Sequence, residues 1–235
     1  MILAADSVAL QYLPLFLRGA GTTLLIVLSA IVCATLLGYI IALMRLSRSK
    51  LLRAAAMTWV WIFRGIPLLL LLFFFYYSRP FGITLGAFTA GLIALTFNSS
   101  SFFSEIIRSG LQAVPKGQLE AADSVGMNPV QKFFRVTAPV SIRIMTPPYI
   151  NNCVILLKES AQVSIITVPD LMLQGQKAFN ATYNVTETLG VVGLIYLTMT
   201  SGLMAVQVLI EKSTGKKTLS RRQLREKVAV INDRA

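Results

Sequence analysis

Histidine is missing from this 235-residue sequence, and charged residues make up only 14% of it. Without histidine, the chain has no His-based catalytic triad and no imidazole ligands for a metal cluster. Both cysteines, Cys33 and Cys153, lie in apolar stretches, where a thiol behaves as a small hydrophobic side chain. Because clustered acids are also scarce, a membrane-embedded enzyme is the least favoured class of function.

Apolar residues dominate what is present. Hydrophobic residues make up 55% of the chain, and the charged fraction is far below the roughly one-quarter expected of a soluble domain. A helix needs about 20 residues to cross a bilayer. The sequence therefore predicts an all-α polytopic membrane helix bundle with about five transmembrane helices. The predicted spans are residues 19–44, 54–78, 80–104, 136–157 and 188–210.

Two of these spans contain polar or helix-breaking residues. Arg64 and Pro67 interrupt the second span, and the fourth contains Pro147 and Pro148, where we expect a kink. The segment 163–179 is predicted to be an external interfacial or re-entrant piece. Residues 1–18 lack a basic start and a small-residue cleavage site, so we expect a short external interfacial helix rather than a removable signal peptide.

The net charge of +12 lies mostly beside three of the predicted spans. Basic residues follow the first span, separate the third from the fourth, and follow the fifth, whereas the alternate loops hold few. Short cytoplasmic loops concentrate Lys and Arg. The predicted orientation therefore places the N-terminus outside and the C-terminus in the cytoplasm. Residues 19–210 form one transmembrane domain, and 211–235 form a basic cytoplasmic tail that can touch anionic headgroups.

The loop 114–139, between the third and fourth spans, has the pattern of a helix, a turn and a second helix. Helix formers run from Glu120 to Val125, Gly126 supplies a stop, and Asn128 with Pro129 predicts a turn. Paired small residues at Ala121 and Ala122 let another protein approach closely. An ordinary amphipathic loop helix fits the same residues, so the pattern alone leaves docking open.

The same loop resembles the EAA loop of ABC-importer permeases. The motif here is Glu120-Ala121-Ala122, and three residues separate it from Gly126. The family's hydrophobic-x-Leu-Pro ending corresponds to Val136-Thr137-Ala138-Pro139, with Ala138 in place of the Leu. The segment Phe63-Arg64-Gly65-Ile66-Pro67 resembles the polar amino acid subgroup, the histidine/glutamine permease type. This resemblance covers residues 12–212.

The resemblance implies the type I importer transmembrane fold, with residues 120–126 as a coupling helix seated in a cytoplasmic ATPase. It also implies partners: an ABC ATPase dimer, a second permease subunit that is identical or homologous, and an external solute-binding protein. The chain has no phosphate loop of the form GxxxxGKS or GxxxxGKT. ATP and Mg²⁺ are therefore expected on the partner ATPase, and this chain is expected not to be an enzyme by itself.

Polar residues inside the predicted spans suggest a translocation path. On the third span Asn98, Ser101, Glu105 and Arg108 share one helical face. A carboxylate in a membrane segment is costly unless it is paired or faces water, so Glu105 either lines the path or pairs with Arg108 or Arg64 as a structural charge.

The fourth span adds further candidates for the path, and we predict that they line it together with Asn98. Interhelical hydrogen bonding is the structural alternative for all of them. The fourth-span candidates are Asn151, Glu159 and Ser160.

Two further classes of function compete for these residues. The leading hypothesis is an importer permease that moves a polar amino acid or a similar small solute into a bacterial cell across the inner membrane. The alternative is a self-sufficient ion-coupled carrier or channel, for which the sequence offers no carboxylate near mid-membrane. Basic, acidic and neutral solutes all stay open.

Overall fold

A computed structural model describes residues 8–213, and every regular element in that range is helical, as predicted. The α-helices are α1 (Val8–Leu46), α2 (Lys50–Gly65), α3 (Leu68–Tyr77), α4 (Ala87–Gln112), α5 (Lys116–Ser124), α6 (Pro129–Lys132), α7 (Ala138–Glu159), α8 (Leu171–Thr182) and α9 (Val185–Ser213). Shorter helical turns lie at Pro80–Gly82 and Ser160–Ile166, and a π-helical turn joins α6 to α7 at Phe133–Thr137.

Within residues 8–213, three helices are long and apolar enough to cross a bilayer: Ala9–Leu46, Ala87–Gln112 and Val185–Ile210. A fourth span exists if the bent pair α2 and α3 is one span. The 22 residues of α7 reach about 33 Å, which is long enough, but its polar residues keep it out of the apolar set. The structure thus supports three to four spans; a fifth, through α7, and the orientation of the termini stay predictions.

The N-terminal boundary differs from the expectation. Residues 8–18 are not a separate short helix, because α1 runs without a break from Val8 to Leu46. The apolar side chains of this stretch continue the faces of the first span, so Phe16 is fully buried while Leu17 stays exposed. Residues 1–7 and the part of the basic tail at 214–235 lie outside the described residues.

The second predicted span is broken where the sequence indicated. Pro67 follows Ile66, whose extended backbone (φ −93°, ψ 127°) ends α2 and turns the chain before α3 begins. The two helices meet at 99°. Residues 54–78 therefore lie in two helices that meet at a sharp bend, and their crossing of the membrane as one span stays a prediction.

The helix of the third predicted span, α4, begins later than predicted. Residues 80–82 form one 3₁₀ turn bounded by the positive φ angles of Arg79 (47°) and Gly82 (76°), and residues 83–86 have no regular structure. The helix α4 starts at Ala87 and continues through Glu105 and Arg108 to Gln112. The polar face of α4 therefore lies within one uninterrupted helix.

The core of the bundle is the crossing of α1 and α4. Gly38 brings the two backbones together: a Cβ added there would lie 3.0 Å from the Ser100 carbonyl oxygen and 3.0 Å from the Ser104 amide nitrogen. The apolar core beside the crossing includes the buried Ile26 and Leu95. This close contact fixes the position of α4, which carries the predicted path residues.

The segment after α7 folds back onto the bundle. Residues 163–179, predicted as an interfacial or re-entrant piece, form the end of the Ser160–Ile166 turn and most of α8. The helix α8 packs against α1 and α9, with Leu171 and Ala178 fully buried. The side of the membrane on which α8 lies stays a prediction.

Candidate functional site

The predicted helix, turn and helix at 114–139 is present, and backbone hydrogen bonds define its turn. Gly126 adopts φ +71° after α5, the Gly126 N–H donates to the Asp123 carbonyl (3.0 Å), and the Met127 N–H donates to the Ala122 carbonyl (3.1 Å). This hydrogen-bond pair is the Schellman motif, which glycine permits because it has no Cβ. The helix α5 thus ends at a defined point.

The second helix starts with an equally defined cap. The Asn128 side chain accepts from the Gln131 N–H (2.9 Å), and the Gln131 side chain accepts from the Asn128 N–H (3.2 Å), which completes a capping box. An ion pair between Lys132, the last residue of α6, and Asp123 (2.6 Å) ties α6 to the end of α5. The loop is therefore a fixed projection.

The projection presents only part of the predicted docking surface. Glu120, Ala121 and Gly126 are exposed, and Val125 beside them is 70% exposed. Ala122 is only 3% exposed, because it is on the face of α5 turned toward the rest of the protein. Of the two alanines, only Ala121 can meet a partner directly.

On the polar face of α4, some side chains are already hydrogen-bonded within the protein and others are not. The Ser101 hydroxyl is buried and donates to the Asn98 carbonyl of its own helix (2.6 Å). The Asn98 side chain is 6% exposed and makes no hydrogen bond to any described residue. A buried amide without partners is free to bind a solute, whereas Ser101 has already used its donor.

The path candidates at and beyond the end of α7 likewise include side chains with and without hydrogen bonds. Ser160 is buried and its hydroxyl donates to the Leu157 carbonyl (2.8 Å), so its donor is satisfied within the helix end. Asn151 is exposed and Glu159 half-buried, and neither side chain is hydrogen-bonded within the described residues. The helix α4 packs against α7, but no hydrogen bond links the predicted residues of the two helices in residues 8–213. The structure leaves Asn98, Asn151 and Glu159 as the available polar groups.

Glu105 lies at the centre of a charge cluster. Its two carboxylate oxygens pair with Arg108, one of the expected partners, and with Arg45 at the end of α1. Arg64 is not an ion-pair partner; its guanidinium lies 4.7 Å from the centre of the Phe102 ring. Arg45 was missed because it is 60 residues from Glu105 and its sequence context groups it with the basic loop that follows the first span.

A second polar cluster, at the start of α8, was not predicted. The Leu171 N–H donates to the Thr23 hydroxyl oxygen (3.0 Å), and the fully buried Asp170 caps α8. The second carboxylate oxygen of Asp170, the Gln174 amide oxygen and the Tyr196 hydroxyl are buried without hydrogen bonds of ordinary geometry, although Tyr196 lies close enough to feel the Asp170 charge. Burial raises the pKa of Asp170 to about 6.

These features define a multi-pass membrane subunit with one projecting helical loop. The family model described as "Binding-protein-dependent transport system inner membrane component" matches residues 34–216, and the chain belongs to that family. It is 35% identical over 205 residues to the probable amino-acid ABC transporter permease YckA of Bacillus subtilis (strain 168), covering 87% of this chain and 91% of YckA. It is 34% identical over 209 residues to the arginine transport system permease ArtQ of the same organism, covering 88% and 95%.

Solved structures agree with the sequence comparisons. An amino acid ABC transporter crystallised with histidines matches with a TM-score of 0.81 and 37% identity, covering 90% of this chain and 100% of that one. The MetNI methionine ABC transporter matches with a TM-score of 0.73 at 22% identity, covering 88% and 99%, and supports the fold alone. The chain is therefore the inner-membrane permease subunit of an ABC importer, and the ion-coupled carrier is not supported.

Proposed function

We propose that this subunit carries a polar amino acid or a closely related solute. The relatives that support this class are named for arginine, glutamine and octopine. The unengaged amides of Asn98 and Asn151 and the carboxylate of Glu159 are the groups that replace the water around the solute's ammonium and carboxylate. An N-terminus outside and a C-terminus in the cytoplasm complete the arrangement, with delivery by an external binding protein.

The coupling proposal rests on one observation, the capped and exposed projection formed by residues 116–132. An element of this kind transmits force because its turn and both caps hold it in one shape. Glu120, Ala121 and the backbone at Gly126 form its exposed contact surface for a cytoplasmic ABC ATPase. Two permease chains, identical or homologous, seat one ATPase each, and ATP with Mg²⁺ binds there rather than in this chain.

Two glycine substitutions test the coupling role. A Cβ added at Gly126 or at Gly117 meets no atom within 4 Å, but only Gly126 has a positive φ (+71°). Gly126→Ala forces an L-residue into the left-handed region at a cost of about 1–2 kcal/mol, which loosens the end of α5. Gly117→Ala strengthens the helix by up to about 1 kcal/mol and is the matched control.

The measurement is the amount of ATPase that copurifies with the tagged chain in mild detergent, together with solute-stimulated ATP hydrolysis. We expect Gly126→Ala and Glu120→Ala to lower both, and Gly117→Ala to leave both near the unmodified level. Equal loss in the Gly126 and Gly117 variants would contradict the proposal. So would a chain that elutes alone and transports solute in liposomes without an ATPase.

A further inference from the structure

A cavity of about 380 Å³ opens between the end of α1 and the C-terminal half of α2. Its walls combine two guanidinium groups with apolar side chains, and neither the coupling loop nor the predicted path includes it. The lining residues are Arg45, Met57, Val60, Trp61, Arg64 and Gly65.

The positive charge around this cavity exceeds the negative charge. Glu105 is the carboxylate of the cluster, and both of its oxygens are already paired, with Arg45 and Arg108. Arg64 has no ion pair or hydrogen bond to any described residue, and it lies close enough to both Glu105 and Arg45 for the first to attract it and the second to repel it. Three arginines therefore share one carboxylate, and an anion in the cavity would relieve the repulsion.

The apolar part of the lining indicates which anion fits. Trp61 is 77% exposed and Met57 is 54% exposed, so a large ring and a thioether flank the guanidinium groups at the protein surface. Aromatic rings beside cationic side chains are typical of the level of lipid headgroups in a membrane protein. A free inorganic anion would gain nothing from these side chains, whereas a phospholipid places its phosphate on the arginines and its glycerol and acyl carbons on Trp61 and Met57.

The shape of the second helix supports a headgroup site. The 99° angle between α2 and α3 turns α2 away from the direction of the apolar α3. Exposed Lys50 at the start of α2 adds positive charge to the same helix. A helix with cationic and apolar exposed residues is suited to lie along a membrane surface.

We propose that the cavity binds the phosphate of an anionic phospholipid between Arg45 and Arg64, with Trp61 and Met57 against its glycerol and acyl carbons. The bound lipid adds a second negative charge to a cluster in which three arginines share Glu105, and it fixes α2 against the end of α1. Its lining residues are separate from those proposed to contact the solute and the ATPase.

Trp61 itself is the probe for the test. The chain has two tryptophans, and Trp59→Phe leaves Trp61 as the only one, next to the cavity. The full-length chain is titrated in mixed micelles with brominated phosphatidylglycerol or brominated phosphatidylcholine, whose bromines quench a nearby indole. We expect the anionic lipid to quench at a lower mole fraction, by about fivefold for each guanidinium that contributes.

Charge variants separate the site from general attraction to basic residues. We expect Arg64→Gln to lower the preference for phosphatidylglycerol about fivefold, and Arg64→Lys to keep most of it. Arg53→Gln is the matched control, because Arg53 is an exposed arginine of the same helix outside the cavity lining, and it should change the preference less than twofold. If Trp59→Phe disturbs the fold, the same titration is made with both tryptophans present.

Three results would overturn the proposal. Equal quenching by the two brominated lipids with both arginines intact would show that the cavity does not select an anionic headgroup. An equal loss in the Arg53→Gln and Arg64→Gln variants would assign the preference to diffuse surface charge. Reversal of the quenching by inorganic phosphate, but not by chloride at the same ionic strength, would assign the site to a free anion instead.

Discussion

The contact between α1 and α8 at Gly19 gives a sharp prediction about stability. A Cβ added at Gly19 would lie 2.8 Å from the Gln174 Cγ, 2.9 Å from the Leu171 Cα and 3.0 Å from the Asp170 carbonyl oxygen. Non-bonded carbon atoms prefer about 3.5–4.0 Å. Because two of these neighbours are backbone atoms, Gly19→Ala must push the two helices apart rather than rotate a side chain.

The size of the effect follows from comparison with a second glycine of the same helix. Overpacking of this kind costs about 1–3 kcal/mol, and replacing glycine by alanine in a helix returns up to about 1 kcal/mol. Gly21→Ala is the matched control, since a Cβ there meets nothing within 4 Å. The helix gain is common to both variants, so the difference between them, about 1–3 kcal/mol, measures the contact alone.

The assay uses the buried Cys153 as a reporter of unfolding. Cys33 is exposed and is replaced by alanine, so that a thiol-reactive dye labels Cys153 only when the bundle opens. A difference of 1 kcal/mol moves the midpoint of a chain of this size by about 2–4 °C. We expect Gly19→Ala to open several degrees below Gly21→Ala. Midpoints within about 1 °C of each other would refute the close approach of α8 to α1.

Three further predictions concern polar groups. Glu105→Gln leaves Arg45 and Arg108 without their shared carboxylate, and we expect a loss of about 1–3 kcal/mol in the Cys153 labelling assay, whereas an unchanged midpoint would show that the ion pairs contribute nothing. Asp170 has a pKa of about 6 in the folded protein and an ordinary value of 3.8, so the folded state binds the proton more tightly than the unfolded state does. The free energy of unfolding therefore falls by up to about 3 kcal/mol as the pH rises from about 3.8 to about 6, and Asp170→Asn should flatten this slope. Asn98→Ala should lower solute transport about tenfold while leaving the labelling midpoint within about 2 °C, and transport at the unmodified rate would remove Asn98 from the path.

The features that depend on neighbouring residues in the chain could be predicted from the sequence. The stop at Gly126 depends on local backbone conformation and was confirmed, whereas the turn predicted at Asn128 and Pro129 is a helix start, because Asn128 caps α6 and Pro129 is its first residue. The break at Pro67 is equally local, although the proline does not specify the 99° angle. Hydropathy placed α9 and residues 19–44 of α1 well, but it left residues 8–18 out of α1 and extended the third span backwards across residues 80–86, because that segment is also apolar.

The features that depend on tertiary contact could not be predicted. No local pattern pairs Arg45 with Glu105, and the burial of Ala122 depends on which face of α5 turns inward. The polar cluster around Asp170 brings together residues from α1, α8 and α9, so no spacing in the sequence reveals it. The family resemblance supplied the class of protein, which these contacts alone would not have given.

The connections around the coupling loop bear on how motion would reach the solute. Only residues 113–115 separate α5 from α4, and α6, the π-helical turn and α7 follow one another without a gap from Pro129 to Glu159. A displacement of α5 therefore acts on two helices at once, one carrying Asn98 and the other carrying Asn151 and Glu159. The π-helical turn lies between the loop and α7, where its looser hydrogen bonding permits a change in helix direction. Under the proposed coupling role, movement at the ATPase would change the spacing between the polar groups on α4 and α7, which is the change that binding and release of a solute require.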